Sequence, residues 1–163
     1  MHQTKKGNQW YFGMKAHIGA DAESGLVHSL SGTAANVADI AQTHELLHGK
    51  ETHVYADAGY LGVEKREEVL AKARDVQWYV AAKRGKVKAM TEGKLKELTQ
   101  AYEKAKAQVR ARVEHPFHII KNLFRHRKTR YRGLAKNTAQ LHSLFALANL
   151  FIARRSLQNA AGA

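Results

Sequence analysis

Apolar and polar positions alternate in part along the first third of the chain, and this pattern predicts a β-hairpin. Residues 10–19 are rich in aromatic side chains and partly alternating, which is typical of a strand. Turn-forming residues fill 21–25, and residues 26–32 are predicted to form a second strand. We therefore expect the two strands to pair in antiparallel fashion across this turn.

The middle of the chain alternates between predicted helices and short strands. We expect a helix, a strand, a helix and a strand over residues 38–48, 52–56, 64–74 and 76–82. Asn36 is a suitable N-cap for the first helix, and Gly49 follows its last turn. A hairpin followed by strand–helix alternation indicates an α/β fold with a mixed sheet flanked by helices.

The second half of the chain is predicted to be mainly helical. Residues 83–96 are rich in lysine and contain two glycines, so we expect a mobile basic connection there. A helix is predicted over 98–127, broken near Pro116, which lacks an N–H donor. The final helix, over 137–156, carries a core-facing stripe of Leu141, Leu144, Phe145, Ala148, Phe151 and Ile152.

Length and composition limit the class of protein. The 163 residues suit one domain, which we place at 1–157, followed by a flexible tail at 158–163. The chain has no cysteine, which excludes disulfides and thiolate zinc sites. It has no apolar run near the ~20 residues of a membrane helix and no secretory signal, so a cytoplasmic protein without a membrane partner is expected.

Charge is distributed unevenly along the chain. Residues 1–82 hold 8 basic and 10 acidic side chains, a net of −2, whereas residues 83–163 hold 19 basic and 4 acidic ones, a net of +15. A near-neutral half joined to a strongly basic half is typical of a scaffold with a phosphate-facing surface. DNA is the expected partner.

Two acidic residues are candidates for a metal site. Asp57 follows a short strand at a glycine-containing loop, and Glu114 lies in the long predicted helix. Mg²⁺ or Mn²⁺ prefers carboxylate oxygens, and a pair of such ions can promote phosphodiester cleavage. The structural alternative is that Asp57 belongs to an ordinary turn and that Glu114 pairs with neighbouring arginines.

Basic residues surround and follow Glu114. Helical spacing puts Arg110 and His118 on the face of Glu114. Phe124 and Tyr131 are interleaved with the later cations, and aromatic rings can stack on splayed bases. The alternative is a salt-bridged or solvated charged face. The predicted DNA-binding residues are Arg110, Arg112, His118, Lys121, Arg125, Arg127, Lys128, Arg130 and Arg132.

A short motif offers a different class of function. His44-Glu45-Leu46-Leu47-His48 matches the zinc-peptidase helix signature, in which two histidines one turn apart share a zinc ion. Gly49 follows at once, and a histidine in a last helical turn is favoured by the helix dipole without any metal. A third ligand would have to come from Glu51, Glu64, Glu67 or Glu68.

Longer blocks of sequence resemble one family. Residues 2–19, 56–60, 110–117 and 147–151 resemble, in order, blocks of the DDE transposases of bacterial insertion sequences. The similar branch is the insertion-sequence-five group of the insertion-sequence-four-like superfamily. The resemblance covers essentially the whole chain.

The resemblance implies a ribonuclease-H-like fold and two-metal strand cleavage and joining during DNA transposition. By position, Asp57 matches the second acidic ligand and Glu114 the third, which makes both catalytic and metal-binding residues. Arg110 and Lys121 match the arginine and lysine of the signature around the last acid. Ala107 stands where that signature has a tyrosine, so this element is absent.

The resemblance also implies that a part of the catalytic domain is absent. The family's first catalytic aspartate lies on a strand upstream of the block at 2–19, so we expect the fold to lack its first strand. Asp21 lies at the predicted hairpin tip and is not expected to replace that acid. We expect a C-terminal transposase fragment, inactive alone and nucleoid-associated. It could act as a non-catalytic DNA-binding remnant, as a dominant-negative partner of a full-length transposase, or as a homodimer.

Overall fold

Five strands form two separate sheets in the computed structural model, which describes residues 1–161. The first sheet is antiparallel and consists of β1 (His2–Lys6), β2 (Gln9–Ala20) and β3 (Val27–Ala34). The second is parallel and consists of β4 (His53–Ala56) and β5 (Gln77–Val80). The predicted α/β class, the β2–β3 hairpin and the two later strands are confirmed, although the strands do not join into one sheet.

Helices flank these sheets. The α-helices are α1 (Thr43–Leu46), α2 (Glu67–Lys72), α3 (Arg84–Lys88), α4 (Lys94–His118) and α5 (Leu134–Ala161). Short 3₁₀ helices occupy Asp39–Gln42, Ala58–Tyr60 and Val63–Lys65, and a π-helix occupies Ile119–Leu123. Helix α5 continues through Ala161, and residues 162 and 163 of the predicted tail lie outside the described residues.

The helix predicted over 38–48 is wrong in extent. The segment starts as a 3₁₀ helix whose N-cap is Ala38 rather than Asn36, and α1 ends at Leu46. Leu47 is extended, with φ −81° and ψ 140°. Both leucines are buried. An extended Leu47 lets these consecutive side chains reach the interior, whereas on a helix neighbouring residues point about 100° apart.

The basic connection and the long helix also differ from expectation. Residues 84–88 form α3 within the connection predicted at 83–96, and α4 passes through Pro116 without a break. The widened π-helix follows directly, with Phe124 N donating to Ile119 O at 3.0 Å. Ile119 and Ile120 are both buried in the core, so packing maintains the helical path that proline disfavours.

The larger core lies between α5, the π-helix and the first sheet. Leu141, Phe145 and Ala148 are buried in it with the two isoleucines, and Leu144, Phe151 and Ile152 pack against it. The predicted apolar stripe of the last helix is therefore confirmed. Asn149 joins this helix to the sheet, since its Nδ2 donates to Val27 O at 2.7 Å and its Oδ1 accepts from Val27 N at 2.8 Å.

A second core lies under the parallel sheet. Leu47, Val63, Val69 and Ala73 are buried there, and Val54, Trp78 and Val80 pack against them from the strands. Because side chains alternate along a strand, the opposite face of this sheet carries Tyr55 and Tyr79, whose rings stack at 4.8 Å. None of the described helices is long and apolar enough to cross a membrane.

Candidate active site

A cavity of about 980 Å³ opens between the two sheets. Consecutive residues of β2 line it (18–20), and so do consecutive residues at and after β4 (53–57). A strand that presents its face to a cavity exposes alternate residues, so consecutive lining residues indicate strand edges. Asp57 and Glu114 both line this cavity, which places the two predicted acids in one cleft.

The end of β4 presents Asp57. The residue is the N-cap of the 3₁₀ helix Ala58–Tyr60, and its Oδ1 accepts a hydrogen bond from Gly59 N at 2.8 Å. A Cβ at position 59 would stand 3.0 Å from that same oxygen, so glycine allows the close approach. Oδ2 has no hydrogen bond among the described residues, and the side chain is exposed. The turn therefore fixes one carboxylate oxygen and leaves the other accessible.

Glu114 is positioned by α4, which is held on both sides of the cleft. Near β5, Lys106 Nζ donates to Val80 O at 2.8 Å and pairs with Glu103, which accepts from Ala82 N at 3.0 Å. Next to the β2–β3 turn, the guanidinium of Arg112 donates to Glu23 O. These anchors fix the helix on either side of the opening.

Neither acid is neutralised by a close ion pair. Of the side chains the structure describes, no basic group lies within 4.0 Å of the Asp57 or Glu114 carboxylate. The structural alternative, in which Glu114 pairs with neighbouring arginines, is therefore not the arrangement observed. Two exposed carboxylates with accessible oxygens fit a hard divalent cation, which commonly takes one or two protein carboxylates.

The two acids do not belong to a preformed cluster of three. Within residues 1–161, no group of three or more histidine, aspartate or glutamate side chains is arranged to hold a metal ion. Asp21 lines the same cavity, but its Oδ1 accepts hydrogen bonds from the Ser24 hydroxyl and from the backbone N–H of Ser24 and Glu23. The Ser24 hydrogen bonds lower the pKa of Asp21. Its role is to close the β2–β3 turn.

The cleft is also lined by Tyr60, His28 and His48, which the sequence did not point to as site residues. Burial, with the nearby negative charges of Asp39 and Asp57, raises the pKa of Tyr60 to about 12, so its phenol stays protonated at neutral pH. His28 and His48 meet edge to face, with ring centroids 5.0 Å apart. Because Tyr60 follows Asp57 closely in the sequence, its place in the site could have been predicted. His28 and His48 are distant in the sequence, and no local pattern indicates that they meet.

The predicted DNA-binding residues fall into two groups. Arg110 and Arg112 line the cleft beside Glu114, although Arg112 is engaged by the β2–β3 turn. The remaining residues continue beyond the cleft along the end of α4, the π-helix and the loop before α5, and all of them are exposed. This second group comprises His118, Lys121, Arg125, Arg127, Lys128, Arg130 and Arg132.

A buried amide holds the loop that carries most of this group. Asn137 is 2 % exposed, and its Oδ1 accepts from the backbone N–H of Arg130 and Tyr131. Its Nδ2 donates to the carbonyls of Tyr131 and Gly133. Arg127 is also tied locally, through its donation to Lys121 O at 3.1 Å. Residues 124–133, which we call the basic loop, are thus ordered through hydrogen bonds to their backbone, while most of the charged ends of their side chains stay exposed.

The zinc-peptidase motif lacks the geometry it needs. His44 lies on α1, but His48 follows the extended Leu47, so the two histidines do not share a helix face. His44 Nε2 is 3.0 Å from Glu45 Oε1, and His48 is 3.5 Å from Glu51. The described residues contain no three-ligand group that includes them. The shared helix face that the zinc-peptidase signature requires is therefore not formed in this structure.

Comparison with known proteins gives the family. No solved structure matched the chain. The family model described as the transposase DDE domain matches residues 1–150, which is more than nine-tenths of the sequence. The match includes the strands, α4 with Glu114, the Asp57 loop and most of α5. The chain therefore belongs to the transposase DDE domain family.

Proposed function

We propose that this chain acts in DNA transposition and that Asp57 and Glu114 hold Mg²⁺ or Mn²⁺ in the cleft. The observation that carries the proposal is that both carboxylates line one cavity with accessible oxygens, in a chain of this family. Bound divalent ions would activate a nucleophile and stabilise the leaving oxygen during phosphodiester cleavage and joining.

The protein's own groups would position the DNA. Arg110 lines the cleft beside Glu114, where its planar guanidinium suits a phosphate oxygen pair. The protonated hydroxyl of Tyr60 can donate a hydrogen bond near the Asp57 loop. The exposed cations from His118 to Arg132 would follow the DNA backbone away from the reacting phosphate.

We further propose a ribonuclease-H-like arrangement, of the insertion-sequence-five type, in which another strand lies between β2 and β4. Residues 14–20 of β2 pair only with β3, and β4 pairs only with β5, within the described residues. Both strands line the cavity with consecutive residues, which supports two open edges facing each other. A strand there would satisfy those edges and could supply a third carboxylate.

The rival proposal is a DNA-binding protein without catalysis. It is favoured by the lack of a three-carboxylate group within residues 1–161, and it shares the basic surface with the first proposal. In that case the chain would bind DNA as a single copy, bind it as a homodimer, or join a complete transposase as an inhibitory subunit. Nicking of supercoiled DNA by the purified chain with Mg²⁺ would exclude the rival proposal. Because the chain is expected to be inactive alone, the absence of nicking is compatible with both proposals, and binding of a divalent cation to Asp57 and Glu114 then separates them.

The metal site can be tested by iron-directed cleavage of the protein backbone. Fe²⁺ with ascorbate and peroxide generates radicals that cut peptide bonds near a bound cation. We expect cuts next to residues 57 and 114 that Mg²⁺ suppresses by competition and that Asp57→Asn and Glu114→Gln each abolish. The matched control is Asp21→Asn, a carboxylate of the same cleft whose hydrogen bonds close a turn.

The control variant should retain both cuts. Cuts that persist in Asp57→Asn, or that Asp21→Asn removes, would contradict the proposed pair. Magnesium-dependent nicking that depends on Asp21 would show that the acid of the β2–β3 turn completes the site.

A further inference from the structure

The first β-hairpin extends beyond the folded body of the protein. Residues 2–12, which we call the exposed hairpin, comprise β1 and the start of β2 around a two-residue turn at Gly7, where φ is +61°. Apart from the half-buried Thr4, every described side chain of this hairpin is exposed. Burial in β2 begins at Gly13. The exposed hairpin therefore stands apart from both cores.

Three consecutive aromatic residues lie on this hairpin. Trp10 is 67 % exposed, Tyr11 49 % and Phe12 69 %. Trp10 and Phe12 share one face because side chains alternate along a strand. Lys5 and Gln3 stand opposite them in the register, and Lys5 Nζ lies 6.0 Å from the centre of the Trp10 ring. An exposed aromatic patch of this kind marks a binding surface rather than a core.

Charge indicates the partner. Residues 1–20 include Lys5, Lys6 and Lys15 and no aspartate or glutamate. Two copies that met hairpin to hairpin would bring like charges together, since each brings these three lysines and no acid. Aromatic faces flanked by lysines are instead typical of surfaces on which nucleic acid bases stack while the cations contact phosphates.

We propose that the exposed hairpin binds unpaired DNA bases by stacking them on Trp10 and Phe12. Stacking needs a free base face, which is available in a single strand or a frayed end. From Trp10, β2 runs to Gly19 at the cleft, nine residues or about 30 Å at ~3.3 Å per residue. The contacted bases would therefore lie about 30 Å from the rim of the cleft, as measured along β2.

This inference rests on the proposed function, since it takes DNA as the partner, and it deepens that function by naming a second contact. It concerns residues outside the cleft. The hairpin variants should keep the iron-directed cuts at residues 57 and 114, so failure of one proposal can be told from failure of the other.

The test uses the chain's two tryptophans. In a Trp78→Phe background, Trp10 is the one remaining indole, and its fluorescence reports contact with an oligothymidylate single strand. We expect quenching on titration. Anisotropy of a labelled strand should show that Trp10→Ala and Phe12→Ala each weaken single-strand binding by about five-fold to 150-fold, the range for loss of one stacked base.

Matched variants sharpen the result. Trp10→Phe keeps a flat ring and should restore most of the affinity, and Leu150→Ala removes an apolar side chain of α5 that is 60 % exposed and should change nothing. Affinity for a blunt duplex should be the same in Trp10→Ala and in the parent. The hairpin packs on neither core, so circular dichroism and melting temperature should also be unchanged.

Three results would overturn the proposal. One is single-strand affinity that is insensitive to Trp10→Ala and Phe12→Ala, and another is an equal loss for single strand and duplex. The third is a concentration-dependent dimer in sedimentation that Trp10→Ala abolishes, which would assign the hairpin to a second copy.

Discussion

Single polar side chains hold separate segments of this protein together. Asn149 forms two hydrogen bonds with the backbone of Val27, and Asn137 forms four with the loop before α5. Each such bond contributes about 1 kcal/mol net, and removing the amide leaves partly buried backbone groups without their partner, at a further cost of up to about 1 kcal/mol each, since water can reach part of them. We therefore expect these two amides to contribute more to the stability of the fold than an ordinary surface asparagine does.

His17 makes stability depend on pH. It is buried on β2, its Nε2 shares a hydrogen bond with Thr33 Oγ1 at 2.7 Å, and Asp39 and Lys15 are the charged groups nearest to it. Burial lowers its pKa below 6.5, outweighing the opposite effect of Asp39. The unfolded chain then binds a proton that the folded chain excludes. We expect the free energy of unfolding to fall below about pH 6.5, by up to ~1.4 kcal/mol per pH unit.

Urea unfolding at several pH values measures this effect. His17→Gln should lower stability at neutral pH, and its deficit relative to the parent should shrink as the pH falls from about 6.5 towards 5.5, because glutamine does not titrate. A deficit that stays constant over that interval would show that His17 does not contribute to the pH dependence.

At the scale of elements, α4 connects the two sheets. It contacts both β2 and β4, and these strands lie on opposite sides of the cleft. Lys106, which is 7 % exposed, attaches this helix to the end of β5 by donating to Val80 O. Within α4 it also pairs with Glu103 and lies over the ring of Tyr102. The position of Glu114 relative to Asp57 therefore depends on contacts made two turns earlier along the helix.

Lys106→Ala should destabilise the fold by about 2–4 kcal/mol, because it leaves Glu103 and a strand carbonyl without their partner. Denaturant unfolding measures the loss. The control is Lys104→Ala, an exposed lysine on the same helix, for which a change within about 0.5 kcal/mol is expected. Equal effects from the two substitutions would mean that the buried lysine does not anchor α4.

At the scale of the whole molecule, the charge is polarised. The net −2 of residues 1–82 and the net +15 of residues 83–163 place nearly all the excess positive charge on α3, α4, the basic loop and α5. Asn137 already orders the loop that carries several of these cations, so binding DNA would lose little further conformational entropy there. This surface is suited to a DNA backbone.

Salt titration of duplex DNA binding tests that surface. The double variant Lys128→Ala with Arg132→Ala should weaken binding and reduce the slope of log K against log salt by about two, at ~0.9 per lost phosphate contact. Arg74→Ala, an exposed arginine in the acidic half, is the matched control and should leave the slope unchanged. A slope that the double variant does not alter would exclude these two residues from the DNA contact.

Short-range patterns were sufficient for much of this fold. The alternation in residues 10–19, the turn at 21–25 and the strands near 54 and 78 all follow from neighbouring residues, and so does the core stripe of α5. Asp57 could also be placed at a strand end from its local context, because glycine-containing loops follow strands in a recognisable way. The exposed hairpin strand β1 was missed, since its polar sequence has no apolar alternation.

The sequence by itself determined the order and type of most elements, the uneven charge and the identity of the two candidate acids, because each depends on nearby residues or on composition. Only the tertiary structure decided that α1 ends at Leu46, that α4 continues through Pro116 and that Asp57 shares a cleft with Glu114. These outcomes depend on burial and hydrogen bonds between segments distant in the chain. Such long-range contacts can override local preference, and no local pattern encodes them.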